Sequence, residues 1–131
     1  MRRPVLVAAA LLLSVACRAD PTAVRADLCG DMGHLAATVN DLARYGASTR
    51  IAVVRGAIEK MDPTFGNLSR SGLADPAVLD RLLRAHVGYR DLLVGMGDDE
   101  TYAALGPAAP PAAVAFRSAF RAAMSDLDCP A

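Results

Sequence analysis

The chain contains no tryptophan, and its three Phe and three Tyr residues bring the aromatic share to only 5%. Aromatic and β-branched residues, which favour strands, are therefore scarce. Ala and Leu, which favour helices, are abundant, and so is Arg, which supplies all but one of the basic residues. This composition predicts an all-α fold.

An excess of charge of one sign is also missing, because 14 Lys and Arg residues balance 14 Asp and Glu residues. This balance excludes the uniformly basic surface that is typical of nucleic-acid-binding proteins, and we expect no nucleic-acid partner. With 131 residues, of which 53% are hydrophobic, the chain has the length of one domain and can bury a core.

Motifs that carry chemistry are absent from the sequence. It has no phosphate-binding loop, no Gly-x-Ser-x-Gly nucleophile motif and no Cys-x-x-Cys pair. Asp27, Asp31 and His34 share one helical face, and Asp31-x-x-His34 is faintly similar to the Glu-x-x-His motif of di-iron bundles. The neighbours of His86 do not form the second such motif that a di-iron site needs. A contact between His34 and His86 across the fold remains an alternative. We therefore expect no catalytic residues, no metal site and no cofactor.

Two other residue sets have more than one interpretation. Soft-metal binding is conceivable for the methionines, but their place on apolar stripes and at helix ends favours core filling. Three arginines around the second helix are expected to form a solvated face, with anionic lipid headgroups or a partner as the alternative. The methionines are Met32, Met61, Met96 and Met124, and the arginines are Arg44, Arg50 and Arg55.

The first 16 residues have the order of a secretory signal peptide. Arg2 and Arg3 precede an apolar run from Val5 to Val15, which Ser14 alone interrupts. A run of this length is too short to span a hydrocarbon core of about 30 Å, but it matches the apolar region of a signal peptide. We therefore expect residues 1–16 to direct export of the chain.

The end of this run, Leu13-Ser14-Val15-Ala16-Cys17, resembles the lipobox of bacterial lipoproteins. The resemblance implies that Cys17 is acylated, becomes the new N-terminus and anchors the protein to the outer face of the cell membrane through a short tether, residues 17–21. The alternative is ordinary signal-peptidase cleavage after Ala16 or Ala19, which would give a secreted protein.

Cysteine parity supports the lipid anchor. The chain has three Cys residues, and an odd number in an exported protein leaves one thiol to explain. If Cys17 carries lipid, Cys29 and Cys129 remain as a pair near the two ends of the mature domain. Export would place them where disulfides persist. We therefore predict a Cys29–Cys129 disulfide, with two free thiols as the alternative.

Four amphipathic segments are expected in the domain, residues 22–131. Their apolar residues recur every three or four positions, as in Leu28, Met32, Leu35 and Val39. Asp20-Pro21 and Asp75-Pro76 predict the starts of two helices, and Ser48 or Thr49 can cap the helix between them. Residues 62–75 are expected to form a connector without regular structure, and residues 106–111 to break the chain, with Pro111 in the first turn of the last helix. These features predict a small four-helix bundle in up-down-up-down order, which would bring Cys29 and Cys129 to the same end. From Cys29 to Ile58, closed by Cys129, the pattern resembles small helical lipoproteins or secreted proteins of actinobacteria.

The function expected from these features is a non-enzymatic interaction or structural module of the bacterial envelope. Its partners would be the membrane, through the lipid anchor, and an envelope protein or lipid. The alternative is a protein that holds a small apolar ligand or lipid between its helices, where Ala36, Ala57, Ala85 and Ala123 could leave room. A cavity would favour ligand binding, whereas a solid core with an apolar surface patch would favour a partner.

Overall fold

The computed structural model describes residues 20–130, and the predicted signal peptide and Cys17 lie outside this range. The described residues form five α-helices and one 3₁₀ helix, which confirms the all-α prediction for this part of the chain. An isolated bridge between Arg50 and Thr101 accompanies them. The helices are α1 (Pro21–Leu42), α2 (Ile51–Glu59), α3 (Asp62–Ser71), α4 (Pro76–Leu93), the 3₁₀ helix (Tyr102–Ala108) and α5 (Ala109–Asp126).

The two longest helices before the 3₁₀ helix begin at the predicted Asp-Pro signals. Asp20 Oδ1 accepts a hydrogen bond from the backbone N–H of Thr22 at 3.0 Å, and α1 begins at Pro21. Asp75 Oδ1 accepts hydrogen bonds from two backbone N–H groups in the first turn of α4. Each carboxylate satisfies N–H groups that have no partner inside the helix and lies at the positive end of the helix dipole.

The prediction that residues 62–75 form a connector without regular structure is wrong for most of this segment, because Asp62–Ser71 is the helix α3. Its Gly, Ser and Asn residues disfavour a helix, but tertiary packing decides otherwise. Phe65 and Leu68, three residues apart, are both buried in the core. Gly72 ends the helix in the left-handed conformation (φ 66°), which is accessible to Gly at little cost. The four predicted segments are therefore joined by one additional α-helix.

Two other helix starts also differ from the prediction. Thr49 does not cap α2, since its Oγ1 accepts a hydrogen bond from Gly46 N–H instead. The first N–H groups of α2 donate to backbone carbonyls of a distant loop, at Asp98 and Glu100. Before α5, residues that were expected to break the chain form the 3₁₀ helix, which bends at Gly106 (φ 71°).

The core contains a cluster of aromatic rings from α3, α4 and α5. The Phe65 ring lies edge-on to the His86 ring, with 5.0 Å between centroids, and 6.1 Å from the Phe116 ring. Phe120 and Tyr89 extend the cluster on either side. All three Phe residues of the chain meet here, so the small aromatic content is concentrated where helix packing needs the largest side chains.

Helix α5 packs along α4 and also contacts α1, while α3 packs against α1 and α2 against α4. The start of α4 lies beside the end of α5, because the backbone N–H of Asp75 donates to Asp126 Oδ2 at 2.8 Å. The helix α1 runs without a break through Gly30 and Gly33. Among residues 20–130, no helix has both the length and the apolar character needed to cross a membrane.

Candidate functional site

The structure brings Cys29 and Cys129 together, in the third turn of α1 and just after the end of α5. Their Cα atoms are 5.2 Å apart, inside the range that disulfides adopt, and their sulfur atoms are at bonding distance. The pair links two positions that are 100 residues apart in the chain. We call the region around Cys29, Cys129, Asp75 and Asp126 the disulfide end.

An apolar groove runs between α1 and α5 and reaches the disulfide end. It has a volume of about 450 Å³, which lies within the range of small-molecule sites. Its apolar lining comes from both helices and the disulfide, with Arg117 and Arg121 on the α5 side. Besides these arginines, the α1–α5 groove is lined by Ala36, Val39, Asn40, Phe120, Met124, Ser125, Cys129 and Pro130.

A second, shallower groove lies on the other side of the disulfide, and we call it the glycine groove. It has a volume of about 650 Å³ and is lined by Gly30 and Gly33 of α1, together with Arg25, His34 and Asp128. The missing side chains of the two glycines deepen it, since a Cβ atom at either position would meet open space. Pro130 lines both grooves, so they adjoin at this residue.

The basic side chains divide into two groups according to their ion pairs. Arg50, Arg55, Arg84 and Arg90 each pair with a carboxylate. The other seven basic side chains of residues 20–130 form no ion pair with a carboxylate of these residues, and the three arginines that line the two grooves are among them. These groove arginines are Arg25, Arg117 and Arg121.

The opposite end of α4 is closed by polar contacts, and we call residues 44–55 and 93–102 the loop end. Arg55 pairs with Asp98, and its Nη2 donates to the carbonyl oxygens of Met96 at 2.7 Å and Leu93 at 3.3 Å. Arg50 pairs with Asp99 on the surface. The expectation of a simple solvated face was thus incomplete, since Arg55 is only 29% exposed and holds the end of α4.

Three tyrosines meet at the loop end. The hydroxyl of Tyr89 donates to the hydroxyl of Tyr102 at 3.2 Å, and the Tyr102 ring lies edge-on to that of Tyr45, with 6.0 Å between centroids. Burial, together with the hydrogen bond to Tyr102, raises the pKa of Tyr89 far above its usual range. Burial also raises the pKa of Tyr45, and Asp41 adds to this effect. Both phenols are therefore neutral hydrogen-bonding groups at physiological pH.

His86 is a buried histidine, 5% exposed, between the rings of Phe65 and Phe116. Its Nε2 lies 3.3 Å from the carbonyl oxygen of Ile58 and 3.4 Å from Asp62 Oδ1. Burial is the largest effect on the pKa of His86 and lowers it, against the raising effect of the Ile58 carbonyl. The neutral imidazole can donate its Nε2–H to Ile58, which explains how a polar ring is accommodated here.

The structure separates the residues of the faint metal motif. Asp27 and Asp31 line a groove between α1 and α3, whereas His34 lines the glycine groove. His34 is exposed, and His86 is buried among Phe rings. No group of three His, Cys, Asp or Glu side chains within residues 20–130 is placed to hold one metal ion.

Of the methionines, Met32 and Met61 are fully buried in the core, as expected, and Met96 and Met124 pack against it. Met124 also lines the α1–α5 groove, so it contributes to a surface that the sequence did not reveal. The α5 sequence does place Arg117 and Arg121 one helical turn apart, beside Phe120 and Met124. A helical-wheel plot shows that adjacency, but the groove itself exists only once α1 lies alongside.

No protein-family model matches the chain, and neither the curated proteins nor the solved structures show a significant similarity to it. The function proposed below therefore depends on the residues and geometry of this chain alone.

Proposed function

We propose that the chain is an exported, lipid-anchored helical protein on the outer face of a bacterial cell membrane, where it acts as a non-enzymatic interaction module. The sequence supports export and anchoring through the apolar run at residues 5–15 and the lipobox-like segment that ends at Cys17. The geometry supports an interaction role, because two open grooves adjoin at Pro130 beside the disulfide.

The observation that carries this proposal is the short distance between the expected anchor and the folded domain. Asp20 caps α1, and only three chain steps separate it from Cys17, which span at most about 11 Å. An acylated Cys17 would hold the start of α1 against the membrane. Cys29, which pairs with Cys129, lies about 12 Å further along α1, so the disulfide end would be the end nearer the bilayer, and the loop end would point away from it.

We further propose that the helices form a four-helix bundle in up-down-up-down order, with α2 and α3 together as the second member. Three contacts support this arrangement. Cys29 meets Cys129, the Asp75 N–H donates to Asp126, and the Ile51 N–H at the start of α2 donates to Glu100 beyond the end of α4. The second and third contacts join the start of one helix to the end of another, and the first joins the third turn of α1 to the segment just after α5, as expected for antiparallel neighbours.

The test of the anchor is cell fractionation with metabolic acyl labelling of the full chain. The wild-type protein should carry label and remain with the membranes. Cys17→Ser should lose the label and leave the membrane fraction, whereas the matched control Ser14→Ala should behave like the wild type. A wild-type protein that is unlabelled, soluble and begins at a residue other than Cys17 would contradict the proposal.

The test of the interaction role is photo-crosslinking in intact cells from two exposed alanines. Ala26 lines the glycine groove at the disulfide end, and Ala103 lies in the 3₁₀ helix at the loop end. A crosslinker at Ala26 should capture lipids and membrane proteins, and one at Ala103 should capture far fewer. If both positions recover only soluble extracellular proteins, the membrane-facing role is excluded.

A second function, the binding of an apolar ligand or lipid, is favoured by the α1–α5 groove. Of the four alanines expected to leave room, Ala57 and Ala123 are buried in the packed core. Ala36 lines the α1–α5 groove instead. Any space for a ligand between these helices therefore lies in an open groove, not in the centre of the fold.

A further inference from the structure

We infer that the α1–α5 groove binds one long-chain fatty-acid carboxylate, with its alkyl chain along the groove and its headgroup at Arg117 and Arg121. This inference rests on the second function proposed above, the binding of an apolar ligand, and it names the ligand and the site. It requires neither the lipid anchor nor a protein partner.

The groove provides apolar contact for an alkyl chain. Val39 and Phe120 form its floor and are themselves almost fully buried, so the accessible apolar surface comes from the partly exposed Ala36 and Met124. The apolar surface continues to Cys129 and Pro130 at the disulfide end. Small-molecule sites of this volume combine an apolar lining with a few polar groups that fix orientation. The polar groups in this groove are the two arginines, Asn40 and Ser125.

The charge of the groove selects an anionic headgroup. Arg117 and Arg121 are four residues apart and therefore lie on the same face of α5, and neither pairs with a carboxylate of the described residues. The described residues as a whole are acidic, with 11 basic side chains against 14 acidic ones, a formal charge of −3. Arg117 and Arg121 are the two basic residues that line this groove, and none of its lining residues within 20–130 is acidic. A planar carboxylate matches the fork of donors on a guanidinium group.

The position of the arginines favours a single bound molecule, rather than a flat membrane surface, as the ligand of the groove. Arg117 lies nine residues before the end of α5, which places it about 13 Å along the helix from the disulfide end. A flat bilayer that touched the disulfide end would lie about this far from the backbone of Arg117. A single amphiphile in the groove would reach the guanidinium group, with its chain pointing towards Pro130 and its carboxylate at the arginines.

The test is photolabelling of the full chain in neutral phosphatidylcholine vesicles with a diazirine-bearing fatty acid. A diazirine-bearing fatty alcohol of the same length is the matched probe without charge. Peptide mapping should place the fatty-acid label on α1 and α5 around Val39 and Met124. The acid should label these peptides up to about tenfold more than the alcohol, the preference that two partly exposed ion pairs can give.

Two double variants distinguish the role of the groove arginines from a general effect of charge. Arg117→Gln with Arg121→Gln should remove the preference for the acid. Arg44→Gln with Arg81→Gln should keep it, because these arginines have no ion pair among residues 20–130 and do not line the groove. Ala36→Leu, which fills part of the groove, should lower labelling by both probes.

Equal labelling by acid and alcohol, label spread over all helices, or an unchanged preference in the Arg117/Arg121 variant would each overturn the inference. These outcomes are independent of the Cys17→Ser result. If the groove is labelled but the protein is not anchored to the membrane, only the proposal of a lipid anchor is contradicted. If the protein is anchored but the groove is not labelled, only the proposal of a fatty-acid site is contradicted.

Discussion

The two ends of this small helical protein are held together in different ways. At the loop end, Arg50 and Arg55 pair with neighbouring aspartates, and the Arg55 guanidinium also bonds backbone carbonyls at the end of α4. At the disulfide end, Cys29 and Cys129 meet instead, and two open grooves adjoin beside them. Charged contacts therefore close one end of the fold, whereas the sulfur pair holds the other end and leaves a surface open beside it.

The largest effect should come from breaking the disulfide end. Reduction of the Cys29–Cys129 pair, or Cys29→Ser with Cys129→Ser, should lower the free energy of unfolding. The loop-entropy model gives about 4.7 kcal/mol for a closed loop of 100 residues, and native strain reduces this value. Urea denaturation with and without a reductant measures the loss. The double variant is the control, because it should not respond to the reductant.

The next effect should come from the loop end. Arg55→Gln removes the ion pair to Asp98 and the donors to the Leu93 and Met96 carbonyls, and it should cost about 1.5–3 kcal/mol of unfolding free energy. The matched control is Arg84→Gln, which removes an exposed pair with Asp80 worth about 0.3–0.5 kcal/mol. Equal costs for the two variants would show that Arg55 does not hold the end of α4.

Removal of a tyrosine hydroxyl at the loop end should lower the free energy of unfolding by a smaller amount. Tyr89→Phe keeps the packed ring and removes one hydroxyl, which donates to Tyr102. The expected cost is about 0.5–1.5 kcal/mol, the usual net contribution of one hydrogen bond. Tyr45→Phe is the control, since no hydrogen bond of its hydroxyl is found among residues 20–130. Thermal unfolding of both variants under one set of conditions would separate them.

The smallest effect should be the pH dependence that His86 gives to the free energy of unfolding. His86 lies away from both ends of the fold. Its pKa in the folded protein is below the ordinary value of about 6.5, so the unfolded chain binds the proton more readily. Stability should therefore be fully present above pH of about 6.5 and decrease as the pH falls towards the pKa of the folded state. Asp62 and the Ile58 carbonyl oppose the shift and keep the effect small.

Denaturation at a series of pH values measures this dependence. The component due to His86 should disappear in His86→Phe, where the new ring can take the place between Phe65 and Phe116. If the variant keeps the whole slope below pH of about 6.5, the acid sensitivity comes from other groups.

The sequence predicted the features that depend on local chemistry. The Asp-Pro signals placed the starts of α1 and α4 correctly, because an Asp cap and a Pro in the first turn act within three residues. Cysteine parity and the expected order of helices predicted the pair at positions 29 and 129, which the structure places at disulfide distance. The helix starts needed only local chemistry, whereas the cysteine pair also needed an assumed order of helices.

The features that the sequence did not predict depend on neighbours that are distant in the chain. Helix α3 forms despite a composition typical of loops, because Phe65 and Leu68 are buried against other helices. The start of α2 is satisfied by carbonyls almost 50 residues away, at Asp98 and Glu100. The α1–α5 groove needs residues from both α1 and α5, so the adjacency of arginines and apolar residues on α5 did not by itself predict a groove.

The account depends most on the claim that the disulfide end is tethered to the membrane through Cys17. Intact-mass spectrometry of protein extracted from the membrane fraction of cells tests it most directly, since one mass reports the N-terminus, the acyl groups and the state of the other two cysteines. We predict a chain that begins at an acylated Cys17 and lacks the two thiol hydrogens of Cys29 and Cys129. An unacylated chain, or one that begins at another residue, would contradict the account.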